Sequence, residues 1–390
     1  MSRPDLLAID HAAALAVNRR IYAALARRGL AVELAIPARV LIPGAPAAEP
    51  PAADDPPLHR LPFRGGNLRY LAIDGLDRLL AERRPRIVHL NNEPDTPLAW
   101  RLGGWAHRHG GALSAQSLES EFFPLGGSLA RGDLRQAARH LRTRLSARLT
   151  RARVDRVFCL SRRAAATWDR LGFAGRTTIM PLGFEPALFH PDAADRARCR
   201  RALGLRQPTV AYFGRQIEKK GPHVLVAALC GLEASAWQFL IDRRKEETPY
   251  TRALLAPLAA AGLGDRIVRF AARHEEMASY MRAADIAVVP SLWEEQYGRV
   301  AAEAMAVGAC VVASRRGALP EILGEAGILL PSGDVAALGD TLVHLLRSPD
   351  ERRRLGAEAA ARAAAVLSLE CQADIMAAAF RALLAERRGA

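Results

Sequence analysis

The stretch Asp285–Arg315, DIAVVPSLWEEQYGRVAAEAMAVGACVVASR, decides the fold. It opens on one apolar run, IAVVPS, and closes on another, CVVAS. Apolar runs without alternation mark parallel strands covered on both faces. The residues between them predict a helix that begins near Tyr297–Gly298 and stops before Gly308. Strand, helix and strand in that order make a βαβ unit with a right-handed crossover. Two carboxylates, Glu295 and Glu303, bracket the helix start with seven residues between them.

Outward from there the same alternation continues. Strands are expected at 6–10, 32–37, 86–90, 156–160, 177–183, 209–214, 238–242, 267–271, 286–291 and 310–314. The segment AVNRRIYAALARRG is read as a helix that ends at Gly29, and GPHVLVAALCGL as another. The tail from about 351 to 388 is almost wholly helical in pattern. The Pro/Ala-rich segment 43–57 reads as a loop within the first half. Residues 184–209 read as a connector between two similar α/β halves.

With 390 residues, half of them hydrophobic, the chain can bury sizeable cores. The five cysteines are scattered without CxxC or Cys/His spacing, which argues against a disulfide framework or structural zinc. No apolar run reaches the roughly 18–20 residues of a membrane-spanning helix, and no leader pattern opens the sequence. A cytoplasmic protein is expected. The formal charge of +14 favours a polyanionic partner, although free use of arginine explains it equally well. A nucleic-acid binder would interleave basic residues with exposed aromatics, and aromatics are only 6% of the chain, so no nucleic-acid partner is expected.

Candidate chemistry centres on two segments. In YFGRQIEKKGPHVLVAAL (212–229), a strand runs into Gly214 and Arg215, and Lys220–Gly221 precede a helix. Two cations then sit at the C-terminal end of a parallel strand, where open α/β sheets bind ligands. Arginine can fork onto two phosphate oxygens and lysine acts as a point charge. In the opening stretch, free amides and the dipole at the helix start suit a phosphate. Helical side chains tilt back toward the N-terminus, so Glu303 can reach the same ligand. A carboxylate accepts from both hydroxyls of a vicinal diol such as a ribose. Taken singly, Glu295 reads as an ordinary first-turn glutamate and Glu303 as a solvated helix residue.

Together, residues 290–334 resemble the E-x7-E signature of retaining nucleotide-sugar glycosyltransferases of family 4. FGRQIEKKGPHVLVAAL resembles that family's diphosphate-binding segment, and LSRRAAATWDRLGFAGRTTIMPLGFEPALFHP its inter-domain passage. The resemblance covers most of residues 150–380. It implies the GT-B architecture: two Rossmann-like domains facing each other across a cleft, with a C-terminal helix crossing back. The domains are expected at 1–186, joined by helix 370–390, and at 187–369.

The resemblance further implies that Gly214, Arg215 and Lys220 hold a donor diphosphate, Glu303 the ribose and Glu295 the transferred sugar. Tyr297, Gly298, Arg299 and Val300 would contribute amides to sugar or phosphate. Arg273, within 269–274, would lie where the nucleobase is gripped. Glu295, Arg215 and Lys220 are the expected catalytic group, with Glu295 less plausible as a nucleophile than as a sugar ligand. No D-x-D pair lies at a strand end, so no metal or other cofactor is expected. The expected donor is a UDP- or GDP-sugar, and the expected acceptor a glycan or lipid-linked glycan in cell-surface polysaccharide synthesis. A non-catalytic member or one with an altered reaction is the alternative.

The match weakens toward the N-terminus. Ala12–Ala14 stand where relatives carry glycines after the first strand. His11, Asn92, Glu93, Gln116 and Glu119 are placed at strand ends as acceptor-side candidates, without a histidine in the loop of the last two. Residues 243–247, RRKEE, replace a glycine-rich turn. Nine arginines between 131 and 156, with Asp133 and Asp155 as the only acids, suggest an anionic membrane surface as a partner.

Overall fold

A computed structural model describes residues 3–41, 47–65, 67–118, 133–232, 236–243 and 248–387. By internal contact the chain divides into two compact units. One is Met1–Pro181 with Leu369–Ala390, and the other is Leu182–Ser368.

Among the described residues the first unit holds nine strands: β1 (Leu6–Asp10), β2 (Val32–Pro37), β3 (Leu58–Leu61), β4 (Phe63–Arg64), β5 (Ala72–Ile73), β6 (Ile87–Asn91), β7 (Ala112–Ser117), β8 (Arg156–Cys159) and β9 (Thr177–Ile179). Seven of them form one sheet in the order β3-β2-β1-β6-β7-β8-β9, parallel throughout; β4 and β5 form a small antiparallel ribbon. Leu7, Ile9, Val88, Leu90, Leu113 and Val157 line a core closed by helix residues Leu98, Leu102 and Trp168. Both faces are covered, which is why these strands read as unbroken apolar runs. The last helix, Leu369–Glu386, packs on the helix Arg20–Arg27. Its Phe380 is fully buried and meets His89 and Phe158 edge-on, with ring centroids 5.6 and 5.4 Å away.

The Pro/Ala-rich segment is fastened to the β1 loop. Arg19 is fully buried; its Nε donates to Asp55 at 2.6 Å, and its other nitrogens donate to the carbonyls of Ala13 and Pro50.

The second unit repeats the plan with β10 (Thr209–Tyr212), β11 (Gln238–Asp242), β12 (Ile267–Phe270), β13 (Ile286–Val289), β14 (Cys310–Ser314) and β15 (Ile328–Leu330), in the order β12-β11-β10-β13-β14-β15, all parallel. The expected connector 184–209 is a built part of this unit. It carries the helix Ala193–Ala202, whose Arg196 and Arg200 bind Asp285 and whose Asp195 accepts from the buried Arg282 at 2.8 Å. The apolar periodicity of this helix is weak because ion pairs hold it.

Short or polar strands escaped the sequence reading. β3 (LHRL) is an edge strand with polar alternation, β7 (ALSAQS) carries Ser and Gln although it is fully buried, and β4, β5 and β15 are two or three residues long. Gln116 was expected past a strand but lies inside β7.

Candidate functional site

In the second unit the sheet grows to one side through β11 and β12, and to the other through β14 and β15. The loops leaving the C-terminal ends of the two central strands, β10 and β13, therefore diverge and open a crevice. Both segments singled out in the sequence leave these two strands: Phe213–Gly221 follows β10 and Pro290–Gly298 follows β13.

The two loops are stitched together. The Lys219 carbonyl accepts from the amides of Leu292 and Trp293, both at 3.0 Å, and the Lys219 ammonium lies 4.3 Å from the centroid of a Trp293 ring. Gly221 turns the chain into the helix Pro222–Cys230 with φ +68°, and a Cβ there would fall 2.0 Å from the Pro290 carbonyl oxygen. Only glycine meets both conditions.

Lys220 and Glu295 meet directly. The ammonium donates to both carboxylate oxygens, at 2.6 and 2.7 Å, and Ser291 Oγ adds a third bond at 2.8 Å. Glu295 is only 7% exposed. Its carbonyl accepts from the Ala318 amide at 2.9 Å, while the neighbouring Glu294 carboxylate takes the Gly317 amide at 2.7 Å and Arg316 at 2.9 Å. The carboxylate of Glu295 is thus held by a backbone with little freedom. Arg215 differs: it is exposed, and its guanidinium has no ion-pair partner among the described residues. The Tyr212 hydroxyl donates to its carbonyl at 2.6 Å. Gly214 leaves room for that phenol, since a Cβ there would fall 2.6 Å from it.

The helix of the opening stretch runs Arg299–Ala306, with Gly298 as its N-cap at φ +99°. A side chain at Gly298 would strike Leu319, so no side-chain oxygen caps the helix. The amides of Arg299 and Val300 lie in the first turn, where no intrahelical acceptor exists. Their dipole end is positive. Glu303, 8% exposed, sits one turn further in. Burial pushes its carboxyl up to about 7, against the opposing pull of Arg299. Tyr297 is 4% exposed, and its hydroxyl has no hydrogen-bond partner among the described residues. Burial, with the nearby Glu303 charge, also raises that phenol. An unsatisfied buried hydroxyl costs about 1–3 kcal/mol, which a ligand hydroxyl or phosphate oxygen would recover.

After β12, Arg273 is exposed and turned onto Glu276, with Nη2 3.1 Å from Oε1. Nothing is described of the side chain of His274. Beneath this segment Phe270 stacks on Tyr280 at 4.4 Å between centroids, 19° from coplanar, and Phe213 leans on Phe270 at 5.9 Å. This aromatic floor and Ser291 were not singled out in the sequence. Phe213 immediately follows β10 and Ser291 stands two residues past β13, and that position was their only signal.

In the first unit the acceptor-side candidates are mostly engaged. His11 Nδ1 lies 3.0 Å from the Asn91 carbonyl oxygen. Asn92, buried, donates to the Leu68 carbonyl at 2.7 Å and accepts from the Glu93 amide at 2.8 Å. Glu93 accepts from Ser117 Oγ at 2.6 Å and from the Leu118 amide at 2.8 Å, tying the end of β6 to the end of β7. Gln116 is buried within β7. Glu119 and most of RRKEE lie outside the described residues. Asp10, also unremarked in the sequence, organises the β1 loop: it accepts from the Ala12 amide, the Asn91 amide group and the Tyr22 hydroxyl, all within 2.8 Å.

Two family models match the chain: "Glycosyl transferases group 1" over residues 207–348 and "Glycosyl transferase 4-like domain" over 14–183. Among curated relatives, a D-inositol 3-phosphate glycosyltransferase of Corynebacterium efficiens is 38% identical over 47% of this chain and 46% of its own. The lipopolysaccharide core biosynthesis mannosyltransferase LpsB of Rhizobium meliloti is 30% identical over 60% of this chain and 67% of its own. This chain thus spans about half the length of the first of these. Of solved structures, sucrose-phosphate synthase from Thermosynechococcus elongatus superposes over 98% of this chain and 99% of its own, at TM-score 0.73 and 25% identity. HepE of Anabaena, solved with UDP-glucose, covers 99% of each at TM-score 0.67 and 18% identity. With two parallel-sheet units and these neighbours, the fold is GT-B.

Proposed function

Because the chain belongs to the group 1 glycosyl transferases, we propose that it moves a sugar from a nucleoside-diphosphate donor, UDP- or GDP-linked, to a glycan or lipid-linked glycan with retention at the anomeric carbon. One observation carries the reading. Lys220, Glu295 and a helix start without a side-chain cap, with Glu303 buried behind it, all belong to the loops and helix that follow β10 and β13. LpsB, named as a lipopolysaccharide core biosynthesis mannosyltransferase, is a relative of the same class, and HepE, of the same fold, was solved with UDP-glucose.

In this reading Arg215 and Lys220 bind the diphosphate, and the amides of Arg299 and Val300 add fixed donors. Charge grows on the leaving phosphate as the bond between the anomeric carbon and its oxygen breaks. Donors already aimed at that charge are worth roughly 3–4 kcal/mol each in known cases. They do the work that a metal ion does in other sugar transferases, so the proposed reaction needs none. The acceptor oxygen attacks from the face the phosphate leaves, and the departing phosphate oxygen takes the acceptor proton. Glu303 accepts from the ribose hydroxyls. Glu295, fixed by Lys220 and Ser291, accepts from sugar hydroxyls. The setting is cell-surface polysaccharide synthesis at the inner face of a membrane.

The engaged Asn92 and Glu93 favour a second reading, donor binding without transfer, because these strand-end groups are spent on internal hydrogen bonds rather than left to hold an acceptor. A panel of UDP-, GDP- and ADP-sugars, assayed for hydrolysis or transfer with EDTA present, separates the two. Turnover with one donor in EDTA is expected. Nucleotide binding without turnover supports the second reading, and absence of both refutes the donor assignment.

A further inference from the structure

The helix Leu134–Thr150 has a buried face and an exposed apolar one. Its inner face is built from small and polar groups: Ala137, His140, Thr143, Ala147 and Thr150 are buried in the first unit. Its outer face carries leucines in water. Leu134 is 71% exposed, Leu141 50%, Leu145 56% and Leu149 68%. These four make up much of the large exposed apolar surface described for the chain.

Helical geometry places them in a narrow stripe. At about 100° per residue, positions 134, 141, 145 and 149 fall within roughly 80° of arc, directly opposite the buried face. Ala138, also exposed, falls inside the same stripe. Arginines border it on both sides. Arg135, Arg139 and Arg142 lie along one edge; Arg144, Arg148 and Arg151 lie along the other, and all six are exposed. No acid interrupts the helix after its N-cap, Asp133. A solvated surface helix would mix charges of both signs and keep leucine inward. The core of the first unit does not need these leucines, since the other face of the helix already packs it.

We propose that this helix lies in the plane of an anionic bilayer, with Leu134, Leu141, Leu145 and Leu149 in the acyl boundary and the two arginine rows on lipid phosphates. Charge complementarity selects the occupant. An apolar stripe between two rows of like positive charge fits the boundary of hydrocarbon and anionic headgroups, whereas a second copy of the same helix would bring arginine against arginine. Charge alone predicted attraction to such a surface; the leucine stripe adds insertion and fixes which face inserts. The inference shares with the proposed function only the expectation of a membrane-borne acceptor, and it is tested without donor or acceptor.

The test is co-sedimentation of the full chain with vesicles of phosphatidylcholine containing 30% phosphatidylglycerol, and with phosphatidylcholine alone, in low and high salt. Binding is expected only with the anionic vesicles. Leu141→Ser/Leu145→Ser should weaken it at least about tenfold with charge unchanged. Arg139→Gln/Arg142→Gln should weaken it by about fivefold per charge, and the loss should vanish in high salt. Leu141 and Leu145 are exposed, so thermal unfolding of the leucine variant should match the parent. Absence of binding at low salt, or equal binding by the leucine variant, overturns the proposal. So does a dimer in sedimentation velocity that the leucine variant dissolves, because the stripe would then be a protein interface.

Discussion

Replacing Glu303 with glutamine should change both the stability and the ligand affinity of the second unit, in ways that depend on pH. Burial raises the folded-state carboxyl to about 7 from an ordinary 4.5. A raised carboxyl contributes stability below about pH 4.5 and loses it as pH rises through about 7, because folding then buries a charge. Each pKa unit corresponds to about 1.4 kcal/mol. The penalty therefore grows by about 2–3 kcal/mol between pH 5 and pH 8. Glu303→Gln removes it, so the variant should melt several degrees above the parent at pH 8 and close to it at pH 5. Affinity should run the other way. If ribose hydroxyls bond to the ionised carboxylate, the competent form is about a tenth of the protein at pH 6 and nine tenths at pH 8. Calorimetric titration with UDP and GDP should show the parent binding roughly tenfold tighter at pH 8, relative to Glu303→Gln, which carries the nucleotide's own titration as a control. Equal pH dependence of melting in parent and variant would refute the burial argument. Equal pH dependence of nucleotide affinity would refute the ribose assignment alone.

Lys220→Ala leaves the Glu295 carboxylate, 9% exposed in its side chain, with Ser291 as its remaining described partner. It should cost about 1–3 kcal/mol in thermal unfolding and at least about a hundredfold in turnover at saturating donor; unchanged turnover would end the diphosphate assignment. Arg215→Ala, at an exposed position, should spare stability and weaken nucleotide-diphosphate binding relative to the bare nucleoside in the same titration. Gly221→Ala combines a left-handed φ with a Cβ 2.0 Å from a carbonyl oxygen. The loss should exceed about 4 kcal/mol, read as failure to give soluble protein or as a large drop in urea midpoint. Arg19→Met strands the Ala13 and Pro50 carbonyls and leaves the Asp55 carboxylate, 4% exposed in its side chain, with the Ala52 amide but no cation among the described residues. A cost of about 3–5 kcal/mol is expected in the urea transition of the first unit, and nucleotide affinity should not change.

Much of this architecture was legible because both sheets are buried on both faces. Runs such as IAVV and CVVAS are short and rich in β-branched residues, which marks them as strand rather than helix, and the breaks between them hold Gly and Pro. Where burial is partial the signal fades, as at the edge strand LHRL and the three-residue β15. The helix Ala193–Ala202 was hidden for another reason: its docking rests on Arg196, Arg200 and Asp195 rather than on an apolar stripe. At the candidate site, residue types and spacing pointed to the segments but not to their bonding. That Lys220 would grip Glu295 across 75 positions of sequence depends on β10 and β13 being neighbours, which a single sequence does not state. Likewise, nothing local in HLNNEP indicates that Glu93 would be consumed in fastening β6 to β7.

The Lys220–Glu295 bond bears on how a basic chain uses two glutamates. Separate duties, cations for phosphate and carboxylates for hydroxyls, would leave a nearly buried Glu295 uncompensated whenever no ligand is present. A buried carboxylate without a partner is costly enough to protonate or to unfold its loop. The bond removes that cost and fixes the Glu295 carboxylate at the same time. It need not be broken for the proposed reaction. A lysine ammonium has three donors, and two oxygens of one carboxylate occupy one side of it. A phosphate oxygen can take the other side, so that Lys220 bridges diphosphate and Glu295. Glu303 has no such cation bonded to it among the described residues. It meets the same problem by carrying a proton near neutrality. Two carboxylates in one crevice are thus kept ready in two ways, one by an ion pair and one by a raised pKa. Only the second should impose a pH dependence on donor affinity, which is why Glu303 rather than Glu295 is the residue to titrate.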